Sequence, residues 1–200
     1  QSIDSQMAQA PPARRTHTPL KAAAYPLVSH RDLTSPMAWR SDRLYSVEEF
    51  LRSARTVAAQ LPRQRFAINL CRDRYHFAVG FAAALMARQI TLLPTYRATE
   101  PLQQLVRQYP GAYVLTDHQE GDLSIPRFSL DHASWTTSGP AEIPVIPADR
   151  IAAIAFTSGS SGVPQAHAKS WGSLVMGARA LGRQFDLSQA PPRIAVGTVP

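Results

Sequence analysis

The chain has one cysteine, two lysines and no long hydrophobic run, and each shortage removes a class of protein. A lone Cys71 cannot close an internal disulfide, and no Cys/His spacing of a zinc site accompanies it, which suits a reducing, cytoplasmic compartment. The longest nearly unbroken apolar stretch, Phe77 to Ala87, is far short of the roughly 20 residues that span a bilayer, so no membrane span is expected. Residues 1–25 lack the apolar centre of a secretory signal and read as a flexible N-terminal arm. Neither a Walker-type Gly-Lys-Ser/Thr ending nor a Rossmann glycine fingerprint occurs anywhere.

Arginine is abundant where lysine is scarce: 19 Arg bring the formal charge to +7. A basic chain invites a nucleic-acid reading, but the arginines are scattered, with only Arg14 and Arg15 adjacent and no aromatic-interleaved stripe. They read as a solvated basic surface, and no nucleic-acid partner is expected. The 44% hydrophobic content over 200 residues is enough for a sizeable core.

Along the chain, helix and strand patterns alternate. Ser46 followed three residues later by Glu49 makes a capping box. Val47, Phe50, Leu51, Ala54, Ala58 and Leu61 then recur at helical spacing and stop near Pro62. Strands are predicted at Phe66–Leu70, Ile90–Leu93, Ala112–Leu115 and Ile151–Phe156. Helices are predicted at Tyr75–Arg88, Glu100–Tyr109 and Trp171–Phe185. Residues 117–149, rich in Pro, Ser, Asp and Gly, read as irregular. The alternation predicts an α/β fold of layered, mostly parallel sheets with crossover helices and functional groups at the strand C-terminal ends. The β-type run Ile194 to Thr198 at the end reads as the start of an element that pairs elsewhere, so residues 26–200 are expected to be a partial domain.

Chemistry concentrates between Thr157 and Lys169. Gly159 and Gly162 permit close backbone approach, so that successive amides can line an anion-binding nest. Thr157, Ser158, Ser160 and Ser161 add hydroxyls, and Lys169 adds a compact cation on a flexible stem. Together they describe a polyphosphate clamp, although composition alone equally describes a plain Ser/Gly turn. Other candidates carry less. His167 reads as an exposed loop histidine or a phosphate contact. Asp117, His118, Glu120 and Asp122 match no calcium loop and read as a solvated turn. Arg72, Asp73 and Arg74 lie at a strand end, and Trp171 reads as a core anchor.

The run Thr157-Ser158-Gly159-Ser160-Ser161-Gly162-Val163-Pro164 resembles the signature loop of the adenylate-forming superfamily of acyl-CoA synthetases, luciferases and peptide-synthetase adenylation domains. The resemblance implies the N-terminal part of that ligase fold, with Thr157 to Gly162 holding the β- and γ-phosphates of ATP while a carboxylate attacks the α-phosphorus. It implies ATP and Mg2+, a carboxylic acid substrate, and as acyl acceptor the thiol of CoA or of phosphopantetheine on an acyl carrier protein. No metal-binding residue is assigned. The family usually carries Lys or Arg where this chain has Gln165, and Thr where it has Ser161. Lys169 is the nearest replacement for the missing cation and the expected catalytic residue. The stretch Pro164 to Trp171 is also similar to the ligase branch of aryl-polyene and xanthomonadin-like pigment clusters. A non-catalytic nucleotide-binding or interaction module that kept the fold remains the alternative, favoured by Gln165.

Overall fold

The computed structural model of the chain describes residues 23–40, 43–118, 124–130, 135, 141–157 and 165–187. Strands β4 (Phe66–Asn69), β5 (Ile90–Leu93), β6 (Tyr113–Thr116), β7 (Arg127–Ser129), β9 (Ile151–Thr157) and β10 (Gln165–Ser170) form one six-stranded sheet in the order β10-β9-β5-β4-β6-β7. Every pairing in it is parallel except β10 with β9. Two two-stranded ribbons flank it: β1 (Ala24–Pro26) with β8 (Val145–Pro147), and β2 (Pro36–Arg40) with β3 (Arg43–Ser46).

Helix α1 (Val47–Gln60) starts where the capping box predicts, the Ser46 hydroxyl accepting the Glu49 amide at 3.2 Å and the Glu49 carboxylate accepting the Ser46 amide at 2.8 Å. Helix α2 (Arg74–Met86) is capped by Asp73, which accepts the His76 amide at 3.0 Å. Helix α3 (Thr99–Gln108) and helix α4 (Trp171–Gln184) complete the set.

Period-2 alternation sorts the strand side chains onto two faces. Ala67, Tyr113 and Leu115 pack with α1 and α2 through Leu51, Val57, Val79 and Ala83. Ile68, Leu92 and Val114 face the other way, onto Leu102 and Leu105 of α3. Each fully buried Leu or Val contributes about 1.5–3 kcal/mol, and these two clusters make a three-layer α/β/α body. Two of the buried polar side chains are satisfied in series, Tyr113 donating to Gln89 at 2.7 Å and Gln89 donating to the Pro62 carbonyl at 2.6 Å. Trp171 is the anchor its position suggests, 8% exposed, its indole N–H donating to the Tyr25 carbonyl at 3.2 Å.

The region expected to be irregular holds two short strands, β7 and β8, and the stretch expected to continue the loop through Lys169 is a strand, β10. The latter correction has a plain cause. Residues 165–169 are all exposed, so no apolar alternation marks them, and it is pairing with β9 that extends them. The ribbon β2–β3 was likewise outside the expected elements.

Candidate functional site at the strand ends

Because β9, β5, β4, β6 and β7 run parallel, their C-terminal ends share one edge. The crossover from β4 through α2 leads to β5 on one side, and α3 leads on to β6 on the other, so the crevice at which strand order reverses lies between β4 and β6. Thr157 ends β9 on this same edge, two strand spacings from β4, or about 10 Å.

Thr157 stands opposite Gln165, Ala155 opposite His167 and Ala153 opposite Lys169. Directly opposed residues of an antiparallel pair share a face, so Thr157, Gln165, His167 and Lys169 lie on one face of the β9–β10 hairpin. Contact confirms the grouping: Thr157 Oγ1 is 3.2 Å from His167 Nε2, with both residues exposed. Ser158, Gly159, Ser160, Ser161 and Gly162 lie in the segment joining the two strands and outside the described residues. Lys169 stands four residues from Gln165 along β10, about 13 Å from the joining segment at strand rise. The structure thus brings Thr157 and His167 together and sets Lys169 further down the same face.

At the β4/β6 crevice, Asp117 gathers four donors. Its Oδ1 accepts the Arg72 amide at 2.9 Å and lies 2.9 Å from His118 Nδ1, and its Oδ2 accepts the Asp73 amide at 2.8 Å and lies 3.2 Å from His76 Nδ1. Burial works against the charged carboxyl. The Arg72 amide, His118, the Asp73 amide and the charge of His76 outweigh it and hold Asp117 down at about 2. An ionised carboxylate only accepts, so both imidazoles present N–H from Nδ1. Asp73 is also held below its ordinary value: burial opposes ionisation, but the His76 amide and Arg40 prevail, the guanidinium Nε lying 2.6 Å from Asp73 Oδ2. Burial pushes the Cys71 thiol upward and leaves it inert as a nucleophile.

The solvated turn expected at Asp117 and His118 is therefore a part-buried bracket that fixes the β4–α2 turn, and at the strand end Asp73 pairs with Arg40. Glu120 and Asp122 lie outside the described residues. Among the described residues no group of three or more His, Cys, Asp or Glu is placed to hold a metal ion, and no helix is long and apolar enough to cross a membrane. Sequence reasoning missed Arg97, which donates to the Leu70 carbonyl at 2.6 Å and ties the β5–α3 connection to the β4–α2 turn. Its only signal was a position just beyond Pro94.

The sequence matches no family profile and no curated protein. Solved structures share its fold. The o-succinylbenzoate coenzyme A synthetase of Bacillus subtilis in complex with AMP superposes with a TM-score of 0.59 at 17% identity, over 72% of this chain and 41% of that one. The fatty acyl-adenylate ligase of L. pneumophila, in complex with acyl adenylate and pyrophosphate, gives 0.58 at 19% identity over 72% and 28% of the two chains. Apo MatB of Rhodopseudomonas palustris gives 0.57 at 17% identity over 72% and 33%. The chain spans well under half the length of these enzymes. The sheet that sets Thr157 at its C-terminal edge has the fold of the N-terminal part of adenylate-forming ligases.

Proposed function

We propose that this chain is the phosphate-binding part of an ATP-dependent ligase. The enzyme converts a carboxylic acid, fatty or aryl, to its acyl-adenylate with release of pyrophosphate, then passes the acyl group to the thiol of CoA or of an acyl carrier protein. One coincidence carries the reading: Thr157, the first residue of the Thr157–Pro164 sequence motif, ends β9 at the carboxyl edge of a sheet whose fold is shared with enzymes solved with AMP, and with ATP and magnesium ion.

The residues fit a polyphosphate. The Thr157 hydroxyl stands exposed at the strand end, the uncharged Gln165 stands opposite it across the hairpin, and its face continues into His167 and Lys169. In this reading the hydroxyl of Thr157, the amides and hydroxyls of Ser158 to Gly162, and the Lys169 ammonium take the charge of the departing pyrophosphate. Magnesium, when bound, neutralises further phosphate charge.

The test has two readouts. Mg-ATP should slow amide exchange across residues 157–169, and the full-length gene product should catalyse ATP–pyrophosphate exchange that depends on a carboxylic acid. Unchanged protection at saturating Mg-ATP rejects the phosphate site. Protection without exchange activity selects the non-catalytic nucleotide-binding module, the reading that Gln165 favours.

A further inference from the structure

Arg97 follows β5, the strand that lies between β4 and β9 in the sheet. Its guanidinium reaches across to the end of β4, Nη1 donating to the Leu70 carbonyl at 2.6 Å and Nη2 to the Cys71 carbonyl at 3.4 Å. Register sets its height. Leu92 stands opposite Ile68 on one side and Ile154 on the other, so Leu70 and Phe156, each two residues further on, are level, and Thr157 comes one residue later. Two strand spacings, about 10 Å, separate the Leu70 position from Thr157. The guanidinium is therefore held at the carboxyl edge, close to the level of Thr157.

Carbonyl oxygens are neutral acceptors, so these bonds orient the guanidinium without cancelling its charge. Among the described residues no carboxylate pairs with Arg97. At the same edge Arg40 is taken by Asp73 at 2.6 Å, and Asp117 is engaged by two backbone amides and two imidazoles. Lys169 stands lower, opposite Ala153, and Gln165, opposite Thr157, is uncharged.

We propose that Arg97 is a further phosphate-binding residue, contacting the β- and γ-phosphates of ATP beside Thr157, where Gln165 leaves the hairpin without a cation. The proposal rests on the ligase reading above. A guanidinium bound along one side by carbonyls presents its remaining N–H groups as a planar fork, which takes two phosphate oxygens at once. Its tether to β4 leaves little side-chain freedom to lose when phosphate binds. Pyrophosphate carries the groups this fork recognises and AMP lacks them, so Arg97 separates ATP and pyrophosphate from AMP.

The experiment measures the affinities of Mg-ATP, Mg-pyrophosphate and AMP by calorimetry on the full-length gene product, in wild type, Arg97→Gln and Arg97→Lys. Arg107→Gln, in the last turn of α3, is the control. Arg97→Gln should weaken Mg-ATP and Mg-pyrophosphate by about 10- to 100-fold, the scale of hydrogen bonds to a charged group, and leave AMP unchanged. Arg97→Lys should recover part of that loss, and Arg107→Gln should bind all three like the wild type. Because Arg97 also ties two connections together, a purely structural role would weaken ATP and AMP alike, and that result overturns the proposal. Labelling of the wild-type protein with phenylglyoxal keeps the test open if the substitutions unfold it. Saturating Mg-pyrophosphate should shield Arg97 and not Arg107, and equal labelling of Arg97 with and without bound Mg-pyrophosphate overturns the proposal. Failure of the ligase reading itself looks different, since the wild type then binds no Mg-ATP and both ideas fall together.

Discussion

Asp117, at the end of β6, holds His76 in the first turn of α2 through a 3.2 Å contact between Oδ2 and Nδ1. The same carboxylate accepts the amides of Arg72 and Asp73, so one side chain fixes the turn that leads from β4 into α2. Its folded-state value of about 2 lies below the ordinary carboxylate value of 3.8. A depressed folded pKa means that the contribution is fully present above about pH 4 and is lost as pH falls through about 2. Asp117→Asn should destabilise the fold by about 1–3 kcal/mol at neutral pH, since a side-chain amide then faces backbone donors. Urea unfolding as a function of pH checks this: the gap between wild type and variant should close between pH 4 and 2. A gap that stays constant across that window would show that the carboxylate's charge is not what matters.

Two glycines of α4 should respond oppositely to alanine. A Cβ on Gly172 would lie 3.0 Å from both the Cβ and the carbonyl oxygen of Ala148, and that carbonyl already accepts the Gly172 amide at 2.8 Å. The backbone has no room to retreat without losing this bond, so Gly172→Ala should cost about 1–3 kcal/mol. A Cβ on Gly177 meets nothing within 4 Å, so Gly177→Ala should stabilise by up to about 1 kcal/mol through helix propensity. Paired thermal melts decide the matter, and equal responses would mean that α4 is not seated against Ala148.

What was legible in the sequence was what local chemistry controls. The box between Ser46 and Glu49 and the apolar spacing that follows it define α1 without tertiary information. The alternation of buried segments likewise predicted β4, β5, β6 and β9 close to their observed limits. The ribbon β2–β3 and strands β7, β8 and β10 were not legible, for two reasons. Arg127–Ser129 and Val145–Pro147 are three residues long, too short for a period to register. Gln165–Lys169 is exposed throughout, so only register with β9 makes it a strand. At the site, the acidity of Asp117 was visible, but its partners come from a turn more than forty residues earlier.

His167 lies where it can tune the Thr157 hydroxyl, the group proposed to bind phosphate. Its Nε2 is 3.2 Å from Thr157 Oγ1, and a hydroxyl so engaged has a defined direction for its remaining hydrogen-bonding capacity. In the proposed ligase, His167→Ala should weaken ATP binding by about three- to tenfold, the scale of one ordinary hydrogen bond. His167→Gln, which keeps polar atoms within reach, should restore part of the loss. Calorimetric titration with Mg-ATP separates this from a change in kcat. An unchanged affinity in His167→Ala would leave the contact as a strand-pairing feature without a role in binding.

Lys169 is the proposed phosphate cation, and its position makes the proposal sharper. It faces the same side of the hairpin as Thr157 but stands opposite Ala153, about 13 Å along from the joining segment at strand rise. Gln165, directly opposite Thr157, occupies the nearer position and carries no charge. If the polyphosphate extends along the hairpin face to Lys169, Lys169→Ala should lower adenylation by roughly 100-fold, on the scale of losing one transition-state donor. Lys169→Arg should recover only part of the rate, because a planar guanidinium does not occupy an ammonium's position. Adding Gln165→Lys to the alanine variant should then raise the rate, since it returns a cation to the loop end of the same face. The competing account is that Lys169 guards the exposed edge of the sheet, where a lysine hinders pairing with other chains. On that account Lys169→Ala adenylates like the wild type but aggregates at lower concentration. Stopped assays of acid-dependent pyrophosphate exchange, run beside light scattering on the same samples, separate the two outcomes.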